Sequence, residues 1–187
     1  MRVAVICCNF AALDFETADK RPTSVCAVGA VRVVDGCIAA RFSRLVRPPP
    51  SRFPFTRVHG ITAEDVASAE GFPSVWRECR QFLQGVEFVC AHNAAFELAV
   101  LHESWSRWKV TVLRVRFVCT RLVALALCGP EYARLDDACR YLGISLRHHN
   151  PLSDAEGCAR IVLEANARGL FDGEIAGVEA MRCVRVR

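Results

Sequence analysis

Asp14 and Glu16 stand two residues apart behind the apolar run Phe10-Ala11-Ala12-Leu13. In a β-strand that spacing turns both carboxylates to one face and Leu13 and Phe15 to the other. Two carboxylates on one face make a hard-oxygen site for a divalent cation. The pattern is weak alone, because a chain with 20 acidic residues offers many such pairs and a solvated edge is the ordinary explanation. The apolar run before Asp14 strengthens it by placing the acids toward the end of a buried strand, where sites in open sheets gather.

A second candidate is His92-Asn93-Ala94-Ala95-Phe96-Glu97, at an expected strand-to-helix junction. Asn93 suits a helix cap, and Phe96 is expected to anchor the turn in the core. Glu97 lies one turn beyond Asn93 and faces the same side, either as a ligand or as an acid favoured by the helix dipole. The third is His149-Asn150-Pro151-Leu152-Ser153-Asp154, with His149 in a loop and Asp154 at a helix start. Taken alone, a loop histidine and a dipole-favoured acid explain that segment more simply.

The elements that must position these residues follow from the hydrophobic pattern. Residues 10–18 read as a buried strand, and segments 24–34 and 37–47 form a hairpin around Asp35-Gly36. Pro48-Pro49-Pro50 ends this three-stranded antiparallel unit. Thr62 is expected to cap a helix over 63–69, and Pro73-Ser74 to open another with Val75, Cys79, Phe82 and Leu83 inward, stopped at Gly85. Then come a strand over Val86 to Ala91, a helix from about Asn93 carrying Phe96, Val100 and Leu101 on one face, and a strand over about 110–118. The final third reads as mostly helical. Its last helix, Ser153 to Arg168, has a Ser153/Glu156 capping box, an inner stripe of Ala155, Cys158, Ala159 and Val162, and a stop at Gly169. The pattern predicts one α/β domain with a mixed sheet over residues 1–171 and an unassigned tail over 172–187.

Composition sets the bounds. The 187 residues, 52% hydrophobic and 24% charged, suffice for one domain with a sizeable core. The net charge of +4, carried by 22 Arg and 2 Lys, is compatible with a phosphate-rich ligand but identifies none. No run approaches the roughly 18 uncharged apolar residues of a membrane span. Val3 to Cys8 is too short for a signal-peptide core. The 11 cysteines are odd in number, form no Cys-x-x-Cys pair and sit in apolar runs, so they read as small core residues, reduced as in a cytoplasm. His148 and His149 have no cysteine pair at zinc-ligand spacing.

The three segments, in this order, with Val58-His59-Gly60-Ile61-Thr62 between the first two, resemble the motif series of the DEDDh branch of the DnaQ-like 3′→5′ exonucleases. That branch includes the epsilon proofreading subunit of DNA polymerase III, and the similarity runs over about residues 8–170. It implies a ribonuclease H-like fold, a mixed five-stranded sheet flanked by helices, and two divalent cations, Mg²⁺ or Mn²⁺. It also implies Asp14, Glu16 and Asp154 as metal ligands and His149 as general base. Glu97 supports the second ion in a place where the family generally has Asp. Thr17, His59, His92 and Asn93 are implied as substrate contacts, while Ala18 lacks the hydroxyl often found after the first motif. The implied reaction is removal of nucleoside 5′-monophosphates from a single-stranded DNA 3′ end, with a DNA polymerase as the partner such relatives imply. The alternatives are RNA trimming by the same chemistry and a nucleic-acid-binding pseudoenzyme weakened by Glu97. The residues themselves do not distinguish DNA from RNA, because such motifs act on backbone and metal.

Overall fold

The computed structural model describes residues 9–111 and 113–170. Residues 172–187, set apart above as a tail, and the Val3 to Cys8 run lie outside the described residues.

Five strands, β1 (Phe10–Thr17), β2 (Val25–Val34), β3 (Cys37–Leu45), β4 (Phe88–Ala91) and β5 (Arg116–Cys119), form one sheet in the order β3-β2-β1-β4-β5. The first three pair antiparallel, while β1–β4 and β4–β5 pair parallel. The helices are α1 (Thr56–His59), α2 (Phe72–Phe82), α3 (Ala95–Trp108), α4 (Thr120–Cys128), α5 (Leu135–Tyr141) and α6 (Pro151–Ala167).

Strand alternation divides the core. From β1, Ala11, Leu13 and Phe15 enter an aromatic cluster with Phe72 and Trp76 of α2 and Leu101 and Trp105 of α3. Phe10 and Ala12 point the other way, onto Val123 of α4 and Ile161 and Val162 of α6. Asp14 and Glu16 continue that second row, so the side of the sheet covered by α6 also carries the acids. Eight cysteines are described, all free. Cys26, Cys79, Cys90, Cys139 and Cys158 are buried, as small apolar fillers should be. Among the described residues, no helix is long and apolar enough to cross a membrane.

Several expectations need correction. Residues 63–69 form turns, not a helix. Thr62 does cap the segment: the Asp65 N–H donates to Thr62 Oγ1 at 3.2 Å, and Asp65 Oδ2 in turn accepts from the Thr62 N–H at 2.7 Å. The following backbone bonds, however, close four-residue turns, the Ala67 N–H donating to the Glu64 carbonyl and the Ala69 N–H to the Val66 carbonyl. Both bonds reach back three residues, not the four of an α-helix, so no α-helical turn closes here. Instead α1 forms just upstream. The strand expected over 110–118 narrows to Arg116–Cys119, the stretch for which Phe88–Ala91 offers a parallel partner. The last helix starts at Pro151, not Ser153. Its cap is Asn150, whose side chain accepts from the Ser153 backbone N–H at 3.0 Å. Proline at the first helical position loses no needed donor there.

Candidate active site

Asp14 and Glu16 come to the site from β1, and Asp154 from the first turn of α6. One carboxylate oxygen from each lies within 4.8 Å of the others. Gly29 makes this convergence possible. It pairs with Asp14 across the β1–β2 ladder, and a Cβ added to it would stand 2.2 Å from the Pro151 carbonyl carbon. Only a residue without a side chain lets the start of α6 descend onto the sheet here. An isolated glycine in a strand pattern is the sequence signal for such an approach.

Glu97 enters from α3 and is 1% exposed. A helix-start acid serving only the dipole would stay in water. This one is sealed in, and its Oε2 has no hydrogen-bond partner. Burial, followed by repulsion from Glu16, pushes Glu97 up to about 8. Glu16 also rises to about 8, through burial and then Asp154. Asp14 is held well above the usual carboxylate range by burial, then by Glu97, Asp154 and Glu16 in turn. Asp154 is raised by burial, against the pull of His148 and the bonds it accepts.

Among the described residues, no lysine or arginine pairs with any of these four acids. Buried carboxylates without a counter-charge must either hold protons or bind cations. An all-oxygen donor set with unpartnered oxygens on Glu97 and Asp154 suits hard divalent ions.

His149 borders this cluster with φ +65°, in the left-handed region that a non-glycine residue occupies rarely. Its backbone N–H donates to Asp154 Oδ2 at 2.9 Å. Burial lowers its pKa first, His148 and Arg134 lower it further, and Asp154 and Asp136 oppose them. The neutral imidazole, able to take up a proton, is thereby favoured. His148, quoted in the motif but given no role above, also reaches Asp154 Oδ2, through Nδ1 at 3.1 Å.

The residues expected to touch substrate divide into two groups. His59 Nδ1 accepts from the Ile61 N–H at 3.0 Å, which leaves Nε2 to donate to the Thr17 carbonyl at 3.2 Å. It thus ties the loop after α1 to the end of β1. The same ring lines a cleft of about 310 Å³ shared with Arg44, His149 and Asn150. His92 has both ring nitrogens engaged, one with the Thr120 hydroxyl at 3.1 Å and the other with the Ala133 carbonyl at 3.0 Å. It anchors the β4 end to α4 and to the segment before α5. Thr17 is buried.

Asn93 is exposed with φ +65°, and α3 begins only after it with no side-chain cap, so its expected capping role is absent. Phe15 is in the core as expected. Phe96 is not: it is 38% exposed. Glu97, the next residue, takes the inward position, and adjacent helical residues cannot share one face. Ala18 is fully buried against Cys26 and Val66, so a hydroxyl there would point into core and not toward a substrate.

A family model described as RNase_T exonuclease matches residues 11–162. Among curated relatives, the DNA polymerase III subunit epsilon-like protein of Rhodobacter capsulatus is 34% identical over 180 residues, 87% of this chain and 25% of its own. The PolC-type DNA polymerase III of Thermotoga petrophila is 30% identical over 162 residues, 83% of this chain and 12% of its own. The chain therefore spans a quarter or less of the length of these relatives. Among solved structures, exonuclease X in complex with 5′ overhanging duplex DNA superposes with a TM-score of 0.73 at 22% identity, over 90% of this chain and 98% of its own. The nuclease domain of 3′hExo, a DEDDh family member bound to rAMP, gives 0.75 at 18% identity, over 88% and 94%. Both share this fold.

Proposed function

Because the chain belongs to the RNase_T family of exonucleases, we propose that residues 1–171 form a 3′→5′ exonuclease domain that shortens single-stranded DNA ends by one nucleoside 5′-monophosphate at a time. The observation that carries this reading is the set Asp14, Glu16, Glu97 and Asp154, the first two half-buried and the last two buried, gathered without a lysine or arginine partner beside a histidine whose pKa is lowered. Two divalent cations, Mg²⁺ or Mn²⁺, would stabilise charge on both the attacking and the leaving oxygen of the phosphodiester.

Asp14 feels all three of the other acids and would serve both ions. Glu16 and Asp154 would complete one set of ligands and Glu97 the other. The burial of Glu97 within the cluster supports a working site over a pseudoenzyme. His149 would accept the proton of the attacking water on a ring nitrogen, which needs a histidine neutral at working pH. Its backbone bond to Asp154 holds the residue beside the ligand set, and its ring stacks on that of His148.

Asn93, His59 and the end of β1 at Thr17 would border the terminal nucleotide, and exposed Phe96 offers a ring for stacking next to Glu97. His92 would act by holding the β4 end in place. A terminal nucleotide must leave its partner to enter such a site, so unpaired ends are the expected substrate. The two curated relatives described above carry DNA polymerase names, which supports DNA over RNA and a polymerase as partner. Matched DNA and RNA oligomers incubated with Mn²⁺, with products resolved by chromatography, test the reading. Nucleoside 5′-monophosphates released faster from DNA are expected; internal fragments, or faster release from RNA, contradict it.

A further inference from the structure

Asp154 has two oxygens with different surroundings. Oδ1 is buried without a partner, whereas Oδ2 accepts from the His149 backbone N–H at 2.9 Å and meets His148 Nδ1 at 3.1 Å. The His148 ring stacks on the His149 ring with centroids 3.9 Å apart. One ring nitrogen of each histidine and one Asp154 oxygen lie within 4.8 Å of one another. The hydrolysis described above uses His149 and Asp154 but leaves His148 without a task.

Two imidazoles and a carboxylate are the donor set of a borderline-soft ion, unlike the all-oxygen set of Asp14, Glu16 and Asp154. The sequence shows no cysteine pair near these histidines; in the fold, a carboxylate stands in that place. The 3.1 Å hydrogen bond from His148 Nδ1 to Asp154 Oδ2 needs to open by only a few tenths of an ångström to reach the roughly 3.3–3.6 Å between neighbouring ligands of a tetrahedral ion bound at about 2.0–2.2 Å. The His148 side chain is 33% exposed, so solvent reaches it. The loop is also held in place. Asn150 caps α6, and the Arg147 N–H donates to Ser153 Oγ at 2.8 Å.

We propose that His148, His149 and Asp154 form a Zn²⁺ site that shares Asp154 with the hard-cation cluster. Zinc held there withdraws both His149 and Asp154 from phosphodiester hydrolysis and inhibits the enzyme. On binding, the His148 Nδ1 bond to Asp154 is lost. That imidazole carries its proton on Nε2, its ring turns out of the stack so that both nitrogens converge, and water fills the fourth position. The inhibitory consequence rests on the function proposed above; zinc binding itself does not.

The test is calorimetric titration of the full chain with Zn²⁺ in excess Mg²⁺, with Co²⁺ as a spectroscopic probe. One zinc per chain is expected, weakened by at least about tenfold in both His148→Ala and His149→Ala. The zinc concentration that halves Mn²⁺-supported hydrolysis should rise by a similar factor in His148→Ala. The parent's cobalt spectrum needs no variant. Strong tetrahedral absorption without thiolate charge transfer supports the site. The weak spectrum of an all-oxygen octahedral ion, a thiolate band, or equal zinc affinity in the parent and both variants overturns it. If histidine-dependent zinc binding is found in a chain that hydrolyses nothing, the proposed function fails while the zinc site stands.

Discussion

Gly29 on β2 sits directly across the ladder from Asp14 on β1, and backbone atoms of Pro151 and Leu152 fill the space a side chain on Gly29 would need. The distance between the first and third motifs is therefore set by a residue in neither. Gly29→Ala places a Cβ against backbone, which cannot swing aside as a flexible side chain would. We predict a loss of about 1–3 kcal/mol in urea denaturation. A fall of at least about tenfold in turnover should accompany it, because Asp154 and His149 move with the helix start. Unchanged turnover would show that Asp154 does not depend on this close approach.

Asp14→Ala should abolish hydrolysis while leaving the metal-free fold as stable as the parent or more so, since it removes the acid that repels the other three. Denaturation in a chelator and hydrolysis in Mn²⁺ check the two halves separately. Marked destabilisation in chelator would mean that Asp14 is a structural residue.

The acid cluster also fixes a pH dependence. Glu16 and Glu97 are raised from 4.5 to about 8, so between those values the folded chain holds protons that the unfolded chain releases. Stability from these groups is present below 4.5 and is lost as pH rises toward 8. The lowered histidines His59, His92 and His149 act in the opposite direction around and below their ordinary 6.5. Buried thiols such as Cys79, raised from 9.0, act only above that value. The predicted decline is therefore cleanest between 6.5 and about 8 in chelator, followed by urea denaturation. Saturating Mg²⁺ or Mn²⁺ should abolish or reverse it, because cations then replace the protons. A flat profile in chelator would mean that the four carboxylates are not clustered as described.

Glu97 carries its charge one methylene further from the backbone than an aspartate would. Mg²⁺ demands near-octahedral geometry at about 2.0–2.1 Å, so a displaced ligand penalises it more than Mn²⁺. Turnover should be higher with Mn²⁺ than with Mg²⁺, Glu97→Asp should raise the Mg²⁺-supported rate, and Glu97→Ala should lower both by at least about tenfold. Steady-state rates in each metal decide this, and full activity of Glu97→Ala would reduce the residue to a buried helix-start acid.

What could be read from the chain follows a physical line. The period-two alternation around Asp14 and the Asp35-Gly36 hairpin are local signals strong enough to give β1 to β3 and the shared face of the acids. The same holds for the inner stripe of α6. Phe96 stays outside the core because it and Glu97 compete for one inward position, and the burial of a carboxylate can be seen only once the other acids surround it. Asn150 and Ser153 both suit a cap by residue type, and it is Pro151 at the first helical position that marks Asn150 as the cap. Ala18 seemed to be a lost substrate contact until the turn back to β2 folded it under Val66. The roles of His92 and His148 depend on partners far along the chain or across a loop, Ala133 and Asp154, which no local pattern announces.

The most direct test of the central claim follows a single-stranded DNA labelled at its 5′ end, incubated with Mn²⁺ and either the parent or Asp14→Ala. The parent should give a ladder that shortens one nucleotide at a time from the 3′ end while retaining the label, and the variant should give none. Release of the label as the first product, or the same ladder from both proteins, would contradict a 3′→5′ exonuclease built on this carboxylate cluster.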